Sequence, residues 1–288
     1  MLTVIIGIIV LIILVLIPVM LIDGHRFVIT EYTITSHKLV KDADFIVLAD
    51  LHNKSYGKQN NRLLAAIQKI HPDGILVAGD LITSTAGEDY TPALHLIQRL
   101  SKDYPIYYGN GNHEQKIRLF PQTYGTMGER YQAGLKECGV IPMINEQVAL
   151  PRYNITICGA EIAGTYYRHF KQRPMEDTYL EQLLGAANKE QYQILIAHNP
   201  DYYEEYVKWG ADLILSGHIH GGIMRLPWLG GVLSPALRLF PRYDGGRFDT
   251  GSSTMIVSRG LGMHTIPIRI FNPGELVVLH LRTEGKVL

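Results

Sequence analysis

The sequence predicts an α/β domain on a parallel sheet, attached to one apolar segment of membrane-spanning length. Three observations carry this. Short apolar runs alternate with stretches whose apolar residues recur at helical spacing, the signature of βαβ units. Most of those runs end in Asp, Asn or His close to glycine. And residues Leu2 to Ile22 are almost wholly apolar, interrupted only by Thr3, Gly7 and Pro18.

The apolar segment comes first. A helix of this length spans about 30 Å, the thickness of a bilayer core. A cleaved signal peptide has a basic start and a small-residue cleavage site. Here no Lys or Arg precedes the run, and Leu-Ile-Asp-Gly-His-Arg26 closes it. Residues 1–23 are therefore expected to be a retained, single-pass transmembrane anchor, placing the protein at the cell membrane. Arg26, Lys38 and Lys41 weakly favour their own side as the inner one, but long domains cross regardless of such charges, so the side stays open.

Residues 24–43 read as a linker and a first strand, Phe27 to Ser36, rich in β-branched residues. Residues 44–288 are expected to be one domain, since about 245 residues can hold one sizeable core. Strands are expected at Asp44 to Asp50, Gly74 to Gly79, Pro105 to Tyr108, Val140 to Ile144, Gln147 to Leu150 and Ile155 to Ala160. Further strands follow at Tyr192 to Ala197, Ala211 to Leu215, Thr254 to Ser258, Pro267 to Phe271 and Leu276 to Leu281. Helical spacing marks Asn60 to Ile70, Thr91 to Leu100, Glu129 to Glu137, Met175 to Ala186 and Tyr202 to Trp209. Residues Ile223 to Arg247 read as a long loop. The 27 basic and 27 acidic side chains balance, so charge suggests no nucleic-acid partner. Cys138 and Cys158 form neither a disulfide framework nor a CxxC site. Nothing in the residues sets an oligomeric state.

Five strands end in metal-ligand types. Asp50 and His52 follow the first, Asp80 the second, Asn112 and His113 the third, His198 the fourth, and His218 and His220 the fifth. Functional groups gather at the carboxyl ends of strands in open parallel sheets. Buried carboxylates and imidazoles are costly unless they pair or hold a metal. In extended backbone, residues i and i+2 project to one side, so His218 and His220 are expected to reach one point. The mixture of carboxylate, amide and imidazole suits Mn, Fe or Zn better than Ca or Cu(I). With His113 set aside, seven ligands are too many for one ion and suit two, Mn best, sharing a carboxylate.

Asp50-x-His52, Gly79-Asp80, Gly111-Asn-His-Glu114, His198 and Gly217-His-x-His220 resemble the five ordered motifs of the calcineurin-like metallophosphoesterases. The resemblance covers about residues 44 to 282. Gly217-His-Ile-His-Gly-Gly222, Val257-Ser-Arg-Gly-Leu-Gly262 and Pro267-Ile-Arg-Ile-Phe-Asn-Pro-Gly-Glu275 resemble its membrane-associated bacterial branch, which includes exported phosphodiesterases. The resemblance implies a four-layer α/β/β/α sandwich of two mixed sheets. It implies Asp50, His52 and His220 on one metal, Asn112, His198 and His218 on the other, and Asp80 bridging. It implies hydroxide between the metals as nucleophile and His113 as general acid. Many relatives carry an aspartate three residues after the bridging one, able to orient that histidine; here the position is Thr83. Gly274 stands where relatives often have proline.

Outside this set, His25, His37, His71, His95, His169 and His280 are assigned to surface or packing, and His264 to the neighbourhood of the pocket. Asn53, Arg225 and Arg259 are candidate substrate contacts, Arg259 being equally able to pair with Glu275. Between Ile223 and Arg247, Met224, Leu226, Trp228, Leu229, Leu233, Leu237, Leu239 and Phe240 alternate with Arg225, Arg238, Arg242 and Arg247. Either the apolar residues pack beneath the loop with solvated arginines, or the loop forms an apolar, basic mouth for a lipid-linked phosphate. Three functions follow: a membrane-anchored dinuclear phosphomono- or phosphodiesterase, a UDP-2,3-diacylglucosamine pyrophosphohydrolase of lipid A synthesis, or a non-catalytic scaffold on the same fold.

Overall fold

The computed structural model describes all residues except 168–172, 227, 235–237, 264–266 and 286–288, so His169, Leu237 and His264 lie outside the described residues. The chain runs α1 (Leu2–His25), β1 (Phe27–Ser36), β2 (Ala43–Leu48), α2 (Asn61–Ile70), β3 (Gly74–Ala78), α3 (Thr91–Leu100) and β4 (Ile106–Gly109). It continues through α4 (Asn112–Leu119), α5 (Pro121–Tyr124), α6 (Met127–Glu137), β5 (Ile141–Pro142), β6 (Glu146–Leu150), β7 (Ile155–Gly159) and α7 (Tyr179–Leu184). Last come β8 (Tyr192–Ile196), α8 (Tyr203–Trp209), β9 (Leu213–Ser216), β10 (Arg225–Leu226), β11 (Gly230–Gly231), β12 (Gly246–Thr250), β13 (Ser253–Val257) and β14 (Gly274–Thr283).

The central strands read as unbroken apolar runs because both of their faces are buried. Alternate side chains serve two cores. Phe45 and Val47 of β2 and Leu76 of β3 meet Ile157, Ile196 and Leu215 of β7, β8 and β9. Ile46, Leu48, Ile75 and Val77 face the other way, against apolar residues of α2 and α3. Leu195 and Ile214 face α7 and α8 in a third cluster. The result is a four-layer sandwich of two mixed sheets with helices outside. One sheet is ordered β1-β14-β2-β3-β4-β5 and the other β12-β13-β9-β8-β7-β6. In the first, only β14 against β2 is antiparallel; β2, β3, β4 and β5 are parallel, so their carboxyl ends lie along one edge. In the second, β7, β8, β9 and β13 are parallel.

Several elements depart from expectation, among them the unmarked short helix α5 and the expected helix from Met175 to Ala186, which is helical only from Tyr179 to Leu184. Helix α4 was not expected, because its first turn, Asn112-His113-Glu114, is made of motif residues that read as loop. Pro267 to Phe271 contributes a single bridge, Ile270 to Met224, because Arg269 folds back onto the carbonyls of Arg259, Gly260, Gly262 and Asn272 and holds the segment as a loop. The stretch read as a loop from Ile223 contains the β10–β11 hairpin and the start of β12. Helix α1 is long and apolar enough to cross a membrane, and most of its large apolar side chains are exposed.

Leu215→Ala, in the fully buried layer between the sheets, is expected to cost about 2–5 kcal/mol of stability. The exposed Val40→Ala change should cost less than about 0.5 kcal/mol. Urea denaturation midpoints, with slopes unchanged, read both.

Candidate metal centre

The parallel strand ends deliver the site. Asp50 and His52 leave β2, Asp80 leaves β3, Asn112 opens α4 after β4, His198 follows β8, and His218 and His220 follow β9. Asp50, His52, Asp80, His218 and His220 all have positive φ, between 47° and 72°. That region is disfavoured for residues with a Cβ, and such strain clusters where function over-determines the backbone. It also removes the extended backbone on which His218 and His220 could have reached one point, and leaves them in different groups, as the resemblance implies. β9 stops at Ser216, and the left-handed turn sends the two rings to different places.

Two ligand groups result. Asp50, His52 and His220 bring one atom each to within 4.8 Å of one another, and so do Asp80, His198 and His218. Asp50 Oδ1 lies 3.7 Å from His198 Nε2, so the groups are contiguous. His52 Nε2 and His220 Nε2 face each other at 3.1 Å, and only one of them can carry the proton between them. His198 Nδ1–H donates to the Ala78 carbonyl at 2.6 Å, which aims Nε2 at Asp80 Oδ2, 2.9 Å away. Such a bond behind a ring nitrogen is how ligating histidines are oriented. Asn112 Oδ1 is buried and accepts no hydrogen bond among the described residues. An unfilled amide oxygen beside carboxylates and imidazoles fits a hard or borderline divalent cation.

The neighbours make room for the carboxylates. A Cβ on Gly111 would collide with Asp80 Oδ1, and one on Gly217 with Asp50 Oδ2. His218 N–H donates to Asp50 at 3.0 Å and His113 N–H to Asp80 Oδ1 at 2.8 Å. Burial, opposed by the His198 charge and helped by Asp80, pushes the Asp50 carboxyl up to about 7. Burial would raise Asp80 as well, yet the charge of His198 and its hydrogen bond hold it well below the usual carboxylate range. Burial would lower His198, but the Asp80 carboxylate outweighs it and raises the ring to about 10. Burial, then His52, holds His220 well below its ordinary value.

His113 stands at the edge of the second group, with Nε2 3.9 Å from Asp80 Oδ2. Behind it, where Thr83 replaces the expected aspartate, the Ser84 N–H donates to His113 Nδ1 at 2.7 Å. The three candidate substrate contacts divide. Asn53 lies beside the ligand loop, bonded through Nδ2 to Glu88 at 3.2 Å, with Oδ1 buried and unbonded among the described residues. Arg225 is engaged by Asp244 at 3.0 Å and the Gly221 carbonyl at 3.1 Å. Arg259 is held by Glu275 at 2.8 Å.

Four supporting residues went unread in the sequence. Glu114 accepts from the N–H groups of Asp80, Leu81 and Gly111 at 2.8 to 3.0 Å, fixing the Asp80 loop. Its position three residues after the Gly111 N-cap is a capping spacing that was legible. Asn272 donates to the carbonyls of His220 and Gly222 at 2.8 and 2.6 Å. Arg269 clamps the segment over Asp50, and Tyr167 lies edge-on to His218 at 5.2 Å. No local pattern marks these three.

The calcineurin-like phosphoesterase family model matches residues 43–222. The chain belongs to that family. This phosphoesterase is 24% identical to an uncharacterized metallophosphoesterase, YkuE, of Bacillus subtilis over 267 residues, 91% of this chain and 87% of that one. It is 25% identical to the phosphodiesterase YaeI of Escherichia coli over 223 residues, 75% of this chain and 74% of that one. Among solved structures, TT1561 of Thermus thermophilus aligns with 77% of this chain and 92% of its own, at 12% identity and a TM-score of 0.48. With its grouped ligands, this phosphoesterase is a metal-dependent phosphoric ester hydrolase that uses divalent ions.

Metal uptake has a proton cost. His198, raised to about 10, carries a proton at pH 7 that a ligating Nε2 must lose, and Asp50, at about 7, carries part of one. Loading with Mn²⁺ at pH 7 is therefore expected to release more than one proton per chain, and affinity to weaken as pH falls from 8 to 6. Calorimetry in buffers of different ionisation enthalpy counts the protons. Gly217→Ala, which puts a methyl onto the Asp50 carboxylate, is expected to lower bound metal at least tenfold, read by elemental analysis.

Proposed function

We propose that this protein is a membrane-anchored phosphodiesterase with a dinuclear centre, Mn²⁺ being the best-suited ion. Asp50, His52 and His220 would hold one ion, Asn112, His198 and His218 the other, with Asp80 between them. The observation that carries this is the pair of contiguous ligand groups, built on five strained residues at three strand ends and completed by the unbonded Asn112 oxygen. When bound, two ions supply an activated water and neutralise charge on the phosphoryl oxygens.

The remaining chemistry belongs to His113. The Ser84 N–H points at Nδ1 at 2.7 Å, and the Ser84 hydroxyl, 2.8 Å from the same nitrogen, can donate to it as well, which favours the neutral ring carrying its hydrogen on Nε2. A ring held this way donates a hydrogen bond to the departing or phosphoryl oxygen, in place of the proton transfer implied by resemblance. An aspartate at position 83 would instead have favoured the imidazolium. The engaged guanidinium groups of Arg225 and Arg259 brace the loops, so neither is assigned a phosphate; Asn53, whose Oδ1 is unbonded among the described residues, is retained as an acceptor for a substrate hydroxyl or N–H rather than for the phosphate. Helix α1 keeps the site at a membrane, which favours phosphate esters carried by lipids, whereas the narrower nucleotide-sugar lipid reading has no observation of its own.

Hydrolysis of bis-p-nitrophenyl phosphate with Mn²⁺ tests the chemistry. Asp80→Asn is expected to lose both activity and metal. His113→Ala should lower kcat by about 10² to 10³-fold with metal retained. His113→Gln, which keeps an N–H donor, should recover part of that loss, whereas a general acid would gain nothing from glutamine. A wild-type protein that is inert and metal-free would overturn the reading. A panel of phosphomonoesters, phosphodiesters and nucleotide-sugar lipids then sets the substrate.

A further inference from the structure

Five large apolar side chains close to the metal centre are left exposed by the fold. Trp228 is fully exposed, at 102%, with Leu229 at 64%, Leu239 at 70%, Phe240 at 55% and Phe271 at 47%. They do not pack beneath the loop that carries them. Backbone pairing nevertheless gathers them into one platform. The β10–β11 hairpin carries Trp228 and Leu229 at its tip, between Arg225–Leu226 and Gly230–Gly231. On one side Met224 bridges to Ile270, next to Phe271. On the other Leu233 bridges to Leu239, and Phe240 N–H reaches the Val232 carbonyl at 2.9 Å. The arginines beside this platform are paired rather than free, Arg225 with Asp244 and Arg238 with Asp201. Arg242, two residues after Phe240, is exposed and paired with Glu204 at 2.7 Å, so the outward surface is apolar and aromatic beside paired charges.

The same platform is joined to α1. Asp23, in the last turn of that helix, is buried to 2% and accepts the Asn272 N–H at 3.0 Å. The Arg26 carbonyl accepts the Gly274 N–H at 3.2 Å. Asn272 then holds the carbonyls of His220 and Gly222. So the last apolar residue of α1, Ile22, is one residue from a hydrogen bond to the segment that carries Phe271. A helix fixed there in a bilayer brings the platform to the surface of the leaflet from which it emerges. Tryptophan is enriched at that boundary, and phenylalanine and leucine form the apolar faces that bury into it.

We propose that the platform is a second bilayer contact, with Trp228, Leu229, Leu239, Phe240 and Phe271 seated at the headgroup–acyl boundary of a phospholipid leaflet. This rests on the reading of α1 as an anchor. The metal centre then opens at the membrane surface, and Asn272 ties its His220 loop to the anchor.

The chain has two tryptophans, so Trp209→Phe leaves Trp228 as the sole tryptophan, read under excitation selective for indole over tyrosine. Trp209 sits on α8 and donates to the Gly185 carbonyl, away from the metal ligands. The full-length Trp209→Phe protein is reconstituted into phosphatidylcholine–phosphatidylglycerol vesicles, with and without lipids brominated near the glycerol end of the acyl chain. Expected are blue-shifted emission, at least twofold quenching by the brominated lipid, and protection from aqueous iodide. Water-like emission with full iodide quenching overturns the platform. A blue shift without bromolipid quenching overturns it too, since protein then covers Trp228. Alkaline carbonate extraction reads the anchor separately. A retained chain whose Trp228 is wet sinks the platform alone, while a chain stripped from the vesicles sinks both readings.

Discussion

Two carboxylates buried side by side are what the rest of this structure answers to. Asp50 and Asp80 are 0% and 2% exposed and belong to contiguous groups. Burying one unpaired carboxylate costs several kcal/mol, and a like charge beside it raises the cost. Without metal the site divides the burden unequally. Asp80 takes the charge, paired with a protonated His198, and Asp50 is pushed towards its neutral form. Cations held by these residues would replace those protons. The electrostatic strain of the ligand set is thus the same quantity that drives metal uptake, and it ties loading to pH.

Backbone strain is carried in a similar way. Left-handed residues at Asp50, His52, Asp80, His218 and His220 each cost on the order of 1 kcal/mol or more. Buried polar groups outside the ligand set hold these turns in place. Glu114 gathers the N–H groups of the Asp80 loop, although burial pushes its own carboxyl up to about 7. Arg269 gathers carbonyls over Asp50, and Asn272 gathers those of His220 and Gly222. Each is nearly fully buried and hydrogen-bonded to main chain, which makes the loops rigid without closing the ligand positions.

This division explains what could be read from the residues. Strands buried on both faces announce themselves as apolar runs, and the ligand types at their ends are chemically conspicuous, so β2, β3, β4, β8 and β9 and the residues after them were legible. Helix α4 was not, because its first turn is polar and its capping glutamate also serves the Asp80 loop. The Pro267 to Phe271 segment has strand composition, but Arg269 bonds across it to distant carbonyls, a tertiary event with no local trace. The orientation of His113 was invisible for the same reason. Thr83 shows only that a carboxylate is missing, while the N–H that takes its place comes from the Ser84 backbone.

Helix α1 and the domain that carries the ligand groups are joined by hydrogen bonds. A flexible tether would leave its final turn in water. Instead Asp23 is buried, with its two oxygens accepting from Arg26 and from the Asn272 N–H. Asn272 faces the other way into the His220 loop. Removing Asp23 would therefore leave an N–H without its acceptor beside a ligand loop, a defect costing about 1–3 kcal/mol. Were α1 held in a bilayer, a helix end placed so close to the ligands would fix the direction in which the site faces as well as its distance from the bilayer. That orientation, more than tethering alone, is what would let a phosphate ester in the leaflet meet the metals.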